Sequence, residues 1–250
     1  MLPPGSAIRG RRVKEQYVGD VNDYRKYALL RLLGRSGLKL GVCWMLTPDD
    51  GSGDGRKLAY LNDKTEARHD PELFALLRRV QDEPDARRLV LIEGSGILPG
   101  ATYENAKVPD PLAQRQLWFR QASMALAPTD VVFVDPDNGL EIKSVAKGRK
   151  TSSKFVYLDE VAAFYAAGHS ILIYQHFNRT PRDALVRDKT AALRQFASDA
   201  EIWAVRTSHV VFLLLVQPRH HAALSAAAHA ITENADAKFL NAQLIAAANA

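Results

Sequence analysis

The stretch Val131-Val132-Phe133-Val134-Asp135-Pro136-Asp137-Asn138-Gly139-Leu140-Glu141 decides how the chain is read. Four β-branched or aromatic residues in succession predict a strand buried on both faces, and Pro136 and Gly139 stop it abruptly. Its carboxylates then stand at the strand's carboxyl end, the edge at which open α/β sheets bind ligands. Read for function, Asp135, Pro136, Asp137 and Asn138 are candidate catalytic residues. Read for structure alone, Asp135 and Asn138 shape a turn by accepting bonds from nearby backbone amides. Turn duty seldom requires as many carboxylates as Asp135, Asp137 and Glu141 provide together.

Outward from this strand, apolar runs alternate with amphipathic ones. Tyr24, Tyr27, Ala28, Leu30 and Leu33 fall at helical spacing after Asp20, and this helix feeds a strand from Leu38 to Leu46. A Gly-rich loop, Asp49 to Arg56, follows, and then a short apolar piece from Leu58 to Leu61. Asp70-Pro71 and Asp110-Pro111 each open a helix. Leu89-Val90-Leu91-Ile92 reads as another buried strand, ending at Glu93. Helices are expected over 158–167 and 181–197, with a strand at Ser170 to Tyr174 between them. Ile202 to Val205 and Val210 to Val216 are separated by a gap too short for a crossover helix, so they should pair antiparallel. Alanine-rich helix fills the remainder. The expected fold is a three-layer α/β domain over residues 15–250: a mostly parallel sheet, helices on both faces, and a C-terminal antiparallel strand pair.

With 250 residues, 47% of them hydrophobic, the chain can bury one large core. The single cysteine, Cys43, excludes an internal disulfide and fits a reducing compartment; its apolar neighbours suggest a buried thiol. No apolar run reaches the ~20 residues of a membrane span, and the first residues lack the apolar core of a signal peptide. A cytoplasmic protein without membrane attachment is expected, its oligomeric state left open. Residues 1–14, rich in Pro, Gly and Arg, read as a mobile basic arm.

A net charge of +5 and a pI of 9.3 permit a polyanionic partner, RNA or DNA, without demanding one. Lys143, Lys147, Arg149 and Lys150 crowd the stretch after Glu141, as phosphate contacts or as a solvated loop.

The loop from Asp49 offers Gly51, Gly53 and Gly55 at alternate positions, which lets backbone amides approach a ligand closely. Asp49, Asp50 and Asp54 repel phosphate and suit sugar hydroxyls, an amine or a metal better; no Gly-Lys-Ser/Thr follows, which disfavours Walker-type ATP binding. Glu93 is a candidate partner for ribose hydroxyls. His176, after the Ser170 strand, is a candidate proton carrier or metal ligand, or a structural group. His220-His221 reads as surface.

This layout resembles class I S-adenosylmethionine-dependent methyltransferases. Gly19-Asp20-Val21-Asn22-Asp23-Tyr24-Arg25-Lys26-Tyr27 is similar to the start of the bacterial adenine-N6 methyltransferases of large-subunit ribosomal RNA. That family carries Gly-Asn-x-Ala-Asp-x-x-Lys-His there, so Gly19, Asp23 and Lys26 match and Tyr27 replaces the histidine. Asp49 to Arg56 is comparable with its cofactor loop, and other bacterial proteins share these blocks. The resemblance implies S-adenosylmethionine as cofactor, held by Lys26, Asp49, Asp50, Gly51, Gly53, Gly55 and Glu93. It also implies methylation of an amine, on nucleic acid or another substrate, at Asp135. The chain departs at the tetrapeptide. Amino-methylating members have Asp/Asn-Pro-Pro-Tyr/Phe, whereas Asp137 here puts a charge where the second proline belongs and Asn138 offers no ring.

Two other readings stay open. Asp135 and Asp137, two apart on an extended segment, together with Glu141, could hold Mg²⁺ or Mn²⁺ for the phosphate chemistry of a nuclease or phosphatase. Alternatively the chain binds nucleotide or RNA without catalysis.

Overall fold

A computed structural model describes residues 18–48, 57–82, 89–234 and 236–246. The expected basic arm and the Asp49 to Arg56 loop lie outside these residues.

The described chain is α/β, built on a seven-stranded mixed sheet in the order β2-β1-β3-β6-β8-β7-β9. Helix α1 (Val21–Gly34) leads into β1 (Leu40–Cys43), and α2 (Pro71–Asp82) and α3 (Leu89–Gly94) lead to β2 (Thr102–Glu104) at one edge. Helix α4 (Leu112–Leu126) returns the chain to β3 (Val131–Val134) on the other side of β1. A small pair, β4 (Gly139–Leu140) and β5 (Phe155–Val156), precedes α5 (Leu158–Ala166), β6 (Ser170–His176) and α6 (Arg182–Arg194). β7 (Glu201–Arg206) and β8 (Val210–Val216) form a hairpin, and α7 (His221–Asn234) connects to β9 (Asn241–Ile245).

β2, β1, β3 and β6 are parallel. β8 runs antiparallel to both β6 and β7, as the short gap between the last two strong runs predicts, and β9 is antiparallel to β7. Strand alternation splits the core in two. Val131 and Phe133 face α1, α2, α3 and α7, while Val132 and Val134 face α4, α5 and α6. From β1 the chain moves one way to β2 and then the other way to β3, so a topological switch point falls at the carboxyl ends of β1 and β3.

Two expected elements are corrected. Leu89 to Ile92 is helix, not strand. Leu89 and Ile92, three apart, are buried while Val90 and Leu91 are exposed, which is the spacing of a helical face. The second strand is instead Thr102–Glu104, three half-buried residues too short to show a period. The C-terminal segment is not all helix, because Asn241–Ile245 adds a strand to the sheet edge beside β7. Leu58 to Leu61 closes largely as a 3₁₀ turn over Ala59–Asn62. Cys43 is buried, and burial holds its thiol well above the ordinary range. Among the described residues no helix is long and apolar enough to cross a membrane.

His220 is not on the surface: it is buried at the opposite end of the sheet from the switch point, near Ser170 and Asp130. Gln217 N donates to Ser170 Oγ at 2.9 Å, His220 Nδ1 lies 2.9 Å from the same hydroxyl, and its Nε2 faces Asp130 Oδ1 at 3.8 Å. His169, likewise buried, places Nδ1 at 2.8 Å from the Thr129 carbonyl. Burial and the neighbouring Arg219 charge push both imidazoles below their ordinary range. The fold therefore holds them neutral, while the unfolded chain protonates them near about pH 6.5. Their contribution is complete above that pH and is lost as pH falls through it. Denaturant unfolding should show stability declining below this point, and His169→Gln/His220→Gln should flatten the decline. An unchanged slope in the double variant would show that the acid sensitivity lies elsewhere.

Candidate functional site

Asp135 is the first residue beyond β3, and its amide still donates to the Cys43 carbonyl at 3.0 Å, carrying the ladder one residue past the strand. By alternation its side chain follows Val131 and Phe133 onto the face covered by α1. Lys26 meets it there. Its Nζ lies 2.8 Å from Asp135 Oδ2 and 2.7 Å from Asp23 Oδ1. The ammonium also sits 5.2 Å from the ring centre of Tyr27, 5.3 Å from Trp44 and 6.0 Å from Tyr174.

Helix α1 is built to hold this pair. Asp20 caps it by accepting from Asn22 N and Asp23 N at 2.8 and 3.0 Å. Asp23 Oδ2 accepts from Gly19 N and from the Tyr27 hydroxyl, at 3.1 and 3.0 Å. Gly19, Asp20, Asp23, Lys26 and Tyr27, all within one nine-residue stretch, are thus one hydrogen-bonded unit aimed at Asp135.

Burial pushes the Asp135 carboxyl up to about 6, with Lys26 pulling it back down. Burial, with Asp23 adding to it, likewise lifts Asp20 to about 6. Burial opposes the Lys26 charge, but Asp135 and Asp23 outweigh it and hold the ammonium above its usual range. Among the described residues Asp135 Oδ1 has no hydrogen bond, and 15% of the side chain stays exposed, so the second oxygen is open to a ligand.

The rest of the tetrapeptide frames this acid. Thr47 Oγ1 donates to Asp137 Oδ2 at 2.9 Å, tying the turn to the segment after β1. Pro136 is buried and Asn138 is exposed. Gly139 adopts φ +104° and packs directly against the Gln175 amide, where any Cβ would clash. That amide accepts from Leu140 N at 2.9 Å and donates to the Asn138 carbonyl at 3.2 Å, fixing the turn to β6.

Glu93 reaches the same rim, though from α3 and not from a strand. It accepts from Trp44 Nε1 at 2.9 Å and from Asn105 Nδ2 at 3.2 Å, beside the stacked rings of Trp44 and Tyr103. Trp44 thus stands between Glu93 and the Lys26–Asp135 pair. His176 lies at the end of β6 with Nε2 at 3.2 Å from the Tyr174 hydroxyl. Asp49, Asp50, Gly51, Gly53 and Gly55 lie outside the described residues.

The basic stretch after Glu141 lands elsewhere. Lys147 binds Asp159 and approaches Glu160 at the start of α5, on the face opposite α1, where it lines an open cavity of 340 Å³ with Arg115, Phe119 and Arg120. Lys143, Arg149 and Lys150 are exposed. Glu141 lies beyond β4, where Lys189 binds its carbonyl at 2.7 Å. Among the described residues no group of three His, Cys, Asp or Glu side chains converges as a metal site, Asp135, Asp137 and Glu141 included.

The partners that sequence reasoning missed are aromatic: Tyr27, Trp44, Tyr103 and Tyr174. Tyr27, Trp44 and Tyr174 read as core and are buried, whereas Tyr103 is half-buried in a three-residue strand with no apolar pattern. Comparison of the chain with protein-family models, with curated proteins and with solved structures returns no match in any of the three.

Proposed function

We propose that this chain is an S-adenosylmethionine-dependent methyltransferase acting on an amine, with Asp135 holding the target nitrogen. One observation carries the reading: at the switch point of a mostly parallel sheet, Lys26 grips one oxygen of a buried carboxylate and leaves the other open. A carboxylate anchored in this way can accept a hydrogen bond from a neutral amine and orient its lone pair. The Asp135-Pro136 pair and the Gly19 to Tyr27 block support the same reading through the resemblance they carry. The finer fold assignment, a Rossmann-like sheet of the methyltransferase type, belongs to this proposal too, supported by β8 running against β6 and β7 at the far side of the sheet.

The residues at the β1–β2 end fit the cofactor. Glu93 is an acid suited to ribose hydroxyls, and Trp44 and Tyr103 offer apolar rings beside it for a base. These residues would hold it together with the glycines from Gly51 to Gly55. Bound there, S-adenosylmethionine supplies a methyl group already activated as a sulfonium. The protein's own part is positioning: Lys26 fixes Asp135, Asp135 fixes the amine, and the aromatic faces exclude water.

Calorimetry tests the cofactor directly. Titration with S-adenosylmethionine should give saturable binding, and Glu93→Ala should weaken it by about tenfold or more, the scale of one charge-assisted hydrogen bond. Separate titrations with Mg²⁺ and Mn²⁺ should be silent. Saturable metal binding with no cofactor binding would reverse the assignment in favour of phosphate chemistry.

A further inference from the structure

We infer that a single-stranded segment of nucleic acid docks on the rim formed by the β7–β8 turn, the end of β6 and the start of α1, and not on the basic stretch from Lys143 to Lys150. As the substrate class for the site at Asp135, this rests on the methyl-transfer reading; as a surface, it stands on its own geometry.

Two helices send arginines to one turn residue. Arg25 of α1 donates to Ser208 Oγ at 2.7 Å, and Arg182 of α6 donates to the Ser208 carbonyl at 2.8 Å. Lys57 joins them, because its carbonyl accepts from Val21 N at the start of α1. Arg179 follows three residues after β6, and Arg206 ends β7. His209 sits in the same field and is held low by burial and by Lys57, Arg25 and Arg182.

Among the described residues Arg25, Lys57, Arg179 and Arg182 have no carboxylate within ion-pair distance; only Arg206 is paired, to Asp183. Lys147 in the other basic stretch is already neutralised by Asp159.

Position connects the rim to the chemistry. Val210 pairs with His176, and β6 lies directly beside β3 with Asp135 level with Tyr174, so the turn stands two strand spacings across and at least two residues along from Asp135, about 12 Å or more. A backbone lying across the guanidinium groups could therefore present one base to the Asp135 carboxylate. With only 15% of that side chain exposed, a stacked base in a duplex is excluded, and a splayed or single-stranded one fits. Arg182 stacked over the Phe177 ring at 4.7 Å supplies a flat cationic surface of the kind on which unpaired bases rest.

The test uses the full chain and a short single-stranded RNA oligonucleotide, with its DNA counterpart, across a salt series without cofactor. Arg25→Gln/Lys57→Ala/Arg179→Ala/Arg182→Gln should lower affinity at least tenfold and flatten the log–log salt slope by about 2 to 3, at roughly 0.7 per lost phosphate contact. Lys143→Ala/Arg149→Ala/Lys150→Ala should leave both unchanged. Because Arg25 and Arg182 also tie the turn, Lys57→Glu/Arg179→Glu, at exposed positions, serves as a second variant that spares those bonds and should weaken binding in the same direction. The inference is overturned if wild type shows no binding at low salt, if the 143–150 variant alone weakens it, or if the rim variants bind as wild type does. Rim-dependent binding by a protein that takes up no cofactor upholds the surface and removes the methyl transfer. Cofactor uptake without oligonucleotide binding does the reverse.

Discussion

Replacing Lys26 by methionine should destabilise the fold by about 3–5 kcal/mol at neutral pH, the scale of breaking a buried ion pair from one side. Methionine fills the space among Tyr27, Trp44 and Tyr174 but leaves Asp23 and Asp135 facing each other without a cation. The pH dependence gives the prediction its signature. In the wild type the Asp135 carboxyl, raised to about 6, takes up its proton before an unfolded aspartate does. Protonation therefore stabilises the fold below that pH, and the contribution is lost as pH rises through it. Without Lys26 the upward shift grows. The deficit of Lys26→Met should accordingly be largest above pH 6 and shrink below it, while adding Asp135→Asn should recover part of it at neutral pH. Guanidinium unfolding on both sides of that midpoint reads all three effects. A deficit that is constant with pH would mean that the methionine is merely badly packed and that the ion pair contributes little.

The sheet's parallel core and the place of Asp135 could be read from the chain because β3 is buried on both faces. Such a strand needs an unbroken apolar run, and Pro136 ends it where the carboxylates begin. The β7–β8 hairpin was equally open to reading, since four residues cannot hold a crossover. Leu89 to Ile92 was not. Six residues or fewer of apolar chain fit either a strand or a turn and a half of helix, and the answer was set by α3 packing against the α1 layer, which no local pattern encodes. Asn241–Ile245 becomes a strand because the edge of β7 is there to pair with, again a tertiary fact.

The candidate site divides in the same way. Residues whose roles depend on sequence neighbours, Asp20 capping α1 and Gly139 turning after β3, carry local signals. Lys26 and Asp135 stand 109 positions apart, and their pairing follows only once α1 is laid over β3. The basic stretch after Glu141 shows the same limit: though close to Asp135 in sequence, its Lys147 pairs with Asp159 at the start of α5 on the face opposite α1, whereas Arg25, beside Lys26, and Arg182 converge on Ser208 from helices far apart in the chain.

Asp135→Asn should reduce methyl transfer by about a hundredfold or more, the range over which a positioned acid–base group acts, while leaving S-adenosylmethionine affinity unchanged. The two effects separate because Glu93 and the Trp44–Tyr103 rings, assigned to the cofactor, do not bond to Asp135. Asparagine preserves the shape and can still face Lys26, which keeps its bond to Asp23, so the fold should survive. The wild-type pH profile then reports the group itself. Only the carboxylate accepts two donors at once, Lys26 on one oxygen and the amine on the other. With the carboxyl raised to about 6, turnover should climb as pH rises through that value and level off above it. In Asp135→Asn this limb should vanish along with most of the rate. A variant that keeps the acid limb at reduced rate would transfer the titration to another group, of which Asp20, also raised to about 6 and joined to Asp135 through Asp23 and Lys26, stands nearest in the network. Asp20→Asn, which retains a capping oxygen, would then remove the limb that Asp135→Asn had spared.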